Sequence, residues 1–334
     1  MVKGKMKGSK KGLSVARVVG FLIVGLFVGA SISAAADKFP VKPVTIVVPY
    51  AAGGSTDLNA RFLAQFLPKY LGQSVVIDNK PGPGGVEGGL AVAKASPDGY
   101  TLLANTMSLL VAYYSVTGAP GPNQFEPVAR VYGYPLILGV SEKTGFKTVQ
   151  DFVSFCKKNP GKLLLGINPA TENQVNSETV RRTLGVEVNF IPYKGGAERN
   201  VALAGGHLDA NVDSLAAFRT YIEAKKIYPL AIAAPKRIEW AKDIPTFAEQ
   251  GVNLTLYVQA GYWASKGTPA DILQILETAI EKTSKDKGFI ELMEKNVIDG
   301  TFQNRADFAK FIAKEEVRIK KVSQDIGLYK PPAK

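Results

Sequence analysis

The segment Pro49-Tyr50-Ala51-Ala52-Gly53-Gly54-Ser55-Thr56-Asp57 places paired glycines, two hydroxyls and a carboxylate directly after an apolar run. Adjacent glycines let backbone N–H groups turn into a common space, and the helix start that follows adds the positive end of its dipole. Such a loop can hold an anion without a cationic side chain, and it contains no Lys or Arg. Asp57 is placed to cap its own helix through N–H groups. The same residues also suit a plain strand-to-helix turn, which glycine count alone favours. A nucleotide P-loop is excluded, because no Gly-Lys-Ser/Thr follows.

Other reactive types are sparse. His207 is the only histidine, in Gly205-Gly206-His207-Leu208-Asp209, a context that suits a solvated loop residue better than a general base. No Gly-x-Ser-x-Gly elbow occurs to pair with it. Cys156 is the only cysteine, so no internal disulfide can form, and its place in Asp151-Phe152-Val153-Ser154-Phe155-Cys156 suits a small core residue. Metal sites need clustered His, Cys or carboxylates, and none is evident. No cofactor is expected.

The elements that position these residues alternate. Val44–Val48 is a β-branched run between Pro43 and Pro49 and predicts a buried strand. Leu58, Phe62, Leu63, Phe66 and Leu67 form a helical stripe that ends near Pro68 and Gly72. Strands at 75–77 and 100–104 flank a helix opened by Pro81-Gly82-Pro83-Gly84-Gly85. The pattern restarts with strand-like runs in 128–140, broken by Gly133-Tyr134-Pro135. Thr148-Val149-Gln150-Asp151 has capping-box spacing at the head of a helix. Strands follow at 163–166, 188–191, 209–213 and 230–233, with a helix at about 174–184; from Pro269 the chain is mostly amphipathic helix. Strands separated by single helices argue for parallel sheets covered on both faces, whose ligands bind beyond the carboxyl ends of the strands.

The chain has 334 residues, which favours two domains, and its 46% hydrophobic and 21% charged composition is that of a folded protein. The formal charge of +12 is inflated by six cations and no acid in residues 1–36; the remainder carries 35 cations against 29 acids. A balance of +6 spread along the chain gives no support for nucleic-acid binding. A lysine-rich start, the apolar run Val18–Val28 and Ala34-Ala35-Ala36 have the order of an export signal cleaved near Ala36. The alternative is an uncleaved anchor, although the run is shorter than the roughly 20 residues a bilayer span needs.

Several blocks resemble the tripartite tricarboxylate transporter receptor family, also called the Bug family, of bacterial periplasmic substrate-binding proteins. They begin with Phe39-Pro40 and Val44 to Asp57. Leu71-Gly72-Gln73, Asp78 to Gly85, Ala95 to Leu103 and Asn159 to Leu163 continue the likeness. Ile191 to Ala197, Ile244 to Gly251 and Lys266 to Pro269 complete it across nearly all of the chain after residue 36. The resemblance implies an α/β, two-lobe type II periplasmic-binding-protein fold, each lobe a mainly parallel sheet flanked by helices, joined by two hinge crossings. Expected boundaries are 1–36 for the signal peptide, 37–138 and 261–334 for lobe 1, and 139–260 for lobe 2.

The implied function is capture of a small organic carboxylate between the lobes and its delivery to the membrane subunits of a transporter, by a monomer without enzymatic activity. The family's first pocket element falls on Tyr50, Ala51, Gly53, Gly54, Ser55, Thr56 and Asp57, and its second on Asn105, Thr106 and Ser108. The third usually reads Gly-Ser followed by His; here Thr171 stands for the serine and Gln174 for the histidine, with Glu172 adding a negative charge. The fourth is Asp213. Tyr50 and Tyr193 are expected to wall the site with aromatic surface. An exported carboxylate sensor, or an exported hydrolase using Asp57, Glu172 or Asp213, are the alternatives.

Overall fold

Short aliphatic and β-branched runs become strands, and the glycine- or proline-marked turns after them start helices. The computed structural model describes residues 39–300 and 302–331; the expected signal peptide lies outside the described residues. The first unit runs β1 (Val44–Val48), α1 (Ser55–Phe66), α2 (Pro68–Leu71), β2 (Val75–Asn79) and α3 (Val86–Ala93). It continues with β3 (Thr101–Thr106), α4 (Ser108–Ser115) and β4 (Phe125–Pro135). The second comprises β5 (Ile137–Ser141), α5 (Val149–Lys158), β6 (Leu164–Ile167), α6 (Glu172–Leu184) and β7 (Asn189–Pro192). After it come α7 (Gly196–Ala204), β8 (Ala210–Asp213), α8 (Leu215–Glu223) and β9 (Ile227–Ile232). The chain then returns as β10 (Tyr257–Ser265) and closes with α9 (Ala270–Ser284), α10 (Lys287–Lys295) and α11 (Arg305–Asp325). Among the described residues no helix is long and apolar enough to cross a membrane.

The two sheets share one plan: β2-β1-β3-β10-β4 and β7-β6-β8-β5-β9. In each, three strands pair in parallel, and the fourth in the order (β10 or β5) is antiparallel to both neighbours. The sheets are therefore mainly parallel, as expected, with four strands in one direction and one opposed. The cause is the route of the chain. β1, β3 and β4 run toward the gap between the sheets, so a strand arriving from the other sheet enters at that gap and runs away from it.

The chain steps from one sheet to the other at Leu136, between β4 and β5, and returns between β9 and β10. These crossings are tied together. Ala233 N–H donates to Leu136 O at 2.8 Å, Leu136 N–H to Leu256 O at 3.1 Å, and Leu256 N–H to Ala233 O at 3.0 Å. The ring satisfies the backbone where the chain leaves both ladders, and places bonded crossings where a hinge would lie. The lobe limits expected at 138/139 and 260/261 lie a few residues inside β5 and β10.

Sequence pattern missed β10. Its stretch Ala260-Gly261-Tyr262-Trp263-Ala264 is buried on both faces, so it lacks the alternation of a half-exposed strand, and its small residues have weak strand preference. The small size is needed: a Cβ on Gly261 would lie 2.4 Å from the Phe308 ring and 2.8 Å from Ala129 O. Phe308 arrives from α11, which packs over β4 and α4. Gly261→Ala is expected to destabilise the fold by about 1–3 kcal/mol through overpacking, read as a lowered urea midpoint.

Candidate binding cleft

β1 ends at Val48 and delivers the glycine loop to the edge facing the second lobe. Gly53 takes the left-handed conformation (φ +84°), and its N–H donates to Asp57 Oδ2 at 2.8 Å. Arg61 Nε donates to the same oxygen at 2.8 Å, while Asn79 Nδ2 reaches Asp57 Oδ1 at 2.9 Å and Tyr50 O at 3.0 Å. Asp57 is thus a buried clamp behind the loop, absent from the residues lining the cleft, rather than part of its surface. The Gly53 amide, expected to grip an anion, is taken by this clamp. Gly54, Ser55 and Thr56 line the cleft instead, at the start of α1, which has no side-chain cap.

α4, α6 and α7 also begin at the cleft without a side-chain cap. Parallel strands explain the convergence, since each helix that follows starts at the strand's carboxyl edge. The remaining free N–H groups and the positive dipole ends are directed at one space, although Ser108 N–H is held by Thr106 Oγ1 and Glu172 N–H by Ser108 Oγ. Thr106 and Ser108 line it from the first lobe, with their hydroxyls 2.8 Å apart. Asn105 is buried beside them, accepting from Thr106 N–H at 2.8 Å and from the Tyr50 hydroxyl at 3.4 Å, so it positions Tyr50 rather than lining the cleft.

The second lobe contributes charge. Arg199, on α7, is buried and lines the cleft; its Nη2 donates to Asp213 Oδ2 at 2.8 Å and its Nη1 to Asn168 Oδ1. Asn200 Nδ2 donates to the same Asp213 oxygen at 3.1 Å. Across the gap, the Ser55 hydroxyl donates to Asp213 Oδ1, and the Ser214 hydroxyl to Ser55 Oγ at 3.1 Å. Glu172 N–H donates to Ser108 Oγ at 3.0 Å. These bonds join the lobes directly, so the cleft is closed, around a cavity of about 70 Å³. At roughly 10–15 Å³ per water, that is room for about five water molecules.

Of the sequence-predicted residues, Tyr50, Gly54, Ser55, Thr56, Thr106, Ser108, Thr171 and Asp213 come together on the cleft, and Ala51, Gly53, Asp57, Asn105 and Gln174 do not. Gln174 Oε1 accepts from Ala170 N–H at 2.9 Å, bracing the turn before α6. Thr171 turns its hydroxyl to Asn168 O at 2.7 Å. Tyr193 lines a neighbouring groove at the mouth; the second cleft tyrosine is Tyr134, from the end of β4. Burial pushes the Tyr50 hydroxyl up to about 12, so it stays a neutral donor. His207 is exposed and off the cleft, and Cys156 is buried in α5 with its thiol pushed up to about 11 by burial.

Sequence reasoning missed Arg199 and Asn176. The Gly195-Gly196 pair that opens α7 repeats the Gly53-Gly54 signal and could have pointed to this helix start. Three buried atoms on cleft-lining residues have no hydrogen-bond partner: Arg199 Nε, Asn176 Nδ2 and Glu172 Oε2. Two are donors and one is an acceptor. Burial pushes the Glu172 carboxyl up to about 7, offset in part by Arg318 and the Thr106 hydroxyl.

Two sheets of identical strand order, hinged by bonded crossings around a closed polar cleft, define a two-lobed ligand-binding protein. Residues 59–328 match the tripartite tricarboxylate transporter family receptor, and the chain belongs to that family, as its blocks implied. It is 33% identical, over 89% of its length and 91% of the relative's, to the UPF0065 protein in the gbd 5′ region of Cupriavidus necator. Three solved structures share the fold. The periplasmic binding protein BugD is 28% identical (TM-score 0.82; 88% of this chain, 100% of that one). R. palustris Rpa4515 with adipate is 30% identical (TM-score 0.80; 86% and 98%). MatC (Rpa3494) from Rhodopseudomonas palustris with bound malate is 26% identical (TM-score 0.77; 85% and 99%).

Two stability effects follow from the carboxylates. Burial alone raises the Asp57 pKa, but the Arg61, Gly53 and Asn79 hydrogen bonds outweigh it and hold the group below its ordinary range. Asp57→Ala is expected to cost about 1–3 kcal/mol near neutrality. A depressed carboxylate stabilises above its unfolded pKa, so the gap to wild type closes as pH falls below about 4 in denaturant titrations. Glu172 has the opposite sign. The folded protein holds its proton more tightly than the unfolded chain, so wild type loses stability as pH rises from about 4.3 toward 7. Glu172→Gln removes that slope, measured as urea midpoints at pH 5 and 8.

Proposed function

We propose that this protein is an exported, periplasmic receptor that closes its lobes on a small organic carboxylate and hands it to the membrane subunits of a tripartite tricarboxylate-type transporter. The observation that carries the reading is the pair of buried unpartnered donors, Arg199 Nε and Asn176 Nδ2, on a cleft into which uncapped helix starts also point. Buried donors are costly to leave unmade, and a carboxylate offers two oxygens that accept from them. The malate and adipate held by MatC and Rpa4515 are of that class. Tyr50 and Tyr134 supply apolar ring surface and hydroxyl donors, the mixture expected of a small-molecule pocket.

The arrangement supports binding without turnover. The Ser55 hydroxyl is committed to Asp213, whose charge is already met by Arg199, and the only histidine lies off the cleft. Ser55 therefore has no free base beside it. The direct bonds between Ser55 and Asp213 and between Glu172 and Ser108 give closure a physical basis, because they form only when the lobes meet.

A thermal-denaturation screen with mono-, di-, tri- and aromatic carboxylates at millimolar concentration tests the reading. At least one is expected to raise the melting temperature; a ligand at a hundred times its Kd adds about 2.7 kcal/mol of stability. Asn176→Leu should weaken the best ligand by about 1–3 kcal/mol in calorimetry while the fold survives by circular dichroism. A flat response across all four classes would reject the proposal.

A further inference from the structure

Glu172 does not belong in a cleft designed only for anions. It occupies the first turn of α6, is buried, lines the cavity, and leaves Oε2 without a partner. Its backbone N–H is bonded across the gap to Ser108, so closure itself brings its carboxyl against the start of α4, where the Thr106 hydroxyl and Met107 N–H stabilise it. One of the four helix starts is therefore already met by a carboxylate of the protein. Asn176 lies one helical turn beyond Glu172 on α6, so an unpartnered donor and an unpartnered acceptor share one face.

We infer that Glu172 sets the charge of the ligand: the cleft takes a monocarboxylate whose far end carries a hydrogen-bond donor for Glu172 Oε2, and it discriminates against dicarboxylates. The inference rests on the carboxylate reading above and narrows it. Asp213 is neutralised by Arg199, leaving Glu172 as the cleft's unpaired charge when ionised. A second ligand carboxylate would face it at short range in a largely buried cleft, and like charges so placed repel strongly. An amide, hydroxyl or ammonium instead satisfies the orphaned oxygen.

The groups that face Glu172 come from several elements. Tyr50 and Tyr134 contribute hydroxyls, Thr106 and Met107 hydrogen bonds, and α11 brings Arg318 together with Glu315. Arg318 draws the carboxyl toward ionisation, but its Nε and Nη2 are bonded to Glu315 Oε2, which pushes the other way. Burial dominates, and the carboxyl titrates near neutrality in the closed cleft. Charge discrimination is consequently strongest above neutral pH and fades in acid, where a protonated Glu172 can itself donate to a ligand carboxylate.

Calorimetry on the protein at pH 8 with length-matched pairs, succinate against succinamate and adipate against adipamate, tests this. In at least one pair the amide-ended acid should bind about tenfold tighter or more. Glu172→Gln should erase or reverse that preference, and lowering the pH to 5.5 should improve the diacids in wild type. If Glu172→Gln fails to fold, the wild-type pairs and their pH dependence decide alone. Diacids binding wild type as tightly as their partners at pH 8 would overturn the inference and leave the carboxylate reading standing. No binding by any carboxylate would remove both.

Discussion

Buried polar groups that no part of the protein completes govern this structure. Helix starts from both lobes meet at one cleft, and three residues lining it, Arg199, Asn176 and Glu172, each bury an atom without a partner. Side chains cap four other helices, Thr148 for α5, Ser214 for α8, Asp286 for α10 and Asn304 for α11, while α2, α3 and α9 are uncapped too. The buried atoms matter because an unmade buried hydrogen bond costs more than a made one returns. A molecule supplying the missing partners gains that difference, so the same groups that strain the closed cleft also reward its occupant.

The rest of the architecture serves to bring those groups together without welding them. Bonded crossings at Leu136, Ala233 and Leu256 tie the two sheets, and one apolar cluster runs through both, from Val44 and Ile46 to Leu165 and Val212. Direct hydrogen bonds over the cleft join Ser55 with Asp213 and Ser214, and Ser108 with Glu172, and bonds of this kind exchange readily with water.

Asp57 and Glu172 show how position decides the role of a carboxylate. Asp57 receives three side-chain and backbone donors and is a fixed, ionised brace for the glycine loop. Glu172 receives less than burial demands and is therefore the cleft group whose charge state is most open to the ligand. The family resemblance put Asp57 among the ligand residues, while its own residue type suggested a helix cap; in the fold it braces the glycine loop.

What the sequence alone determined is local. The β1 run, the Gly53-Gly54 turn, the helix stripe behind it and the Thr148-Asp151 capping box are all legible because their causes lie within a few residues. Those signals, repeated along the chain, were enough for the two-lobe α/β reading, while Thr106, Ser108 and Thr171 came from the family resemblance. Tertiary structure alone decided which charges matter. The Gly195-Gly196 pair marks the helix start but does not single out Arg199 among 41 cations; it becomes a cleft residue because α7 and β8 set it beside Asp213 and bury both. β10 stayed hidden for the same reason, since its small residues are selected by the Phe308 ring from α11 and not by any pattern of their own. Desolvation and packing depend on what surrounds a residue in space, and that neighbourhood exists only once the chain has folded.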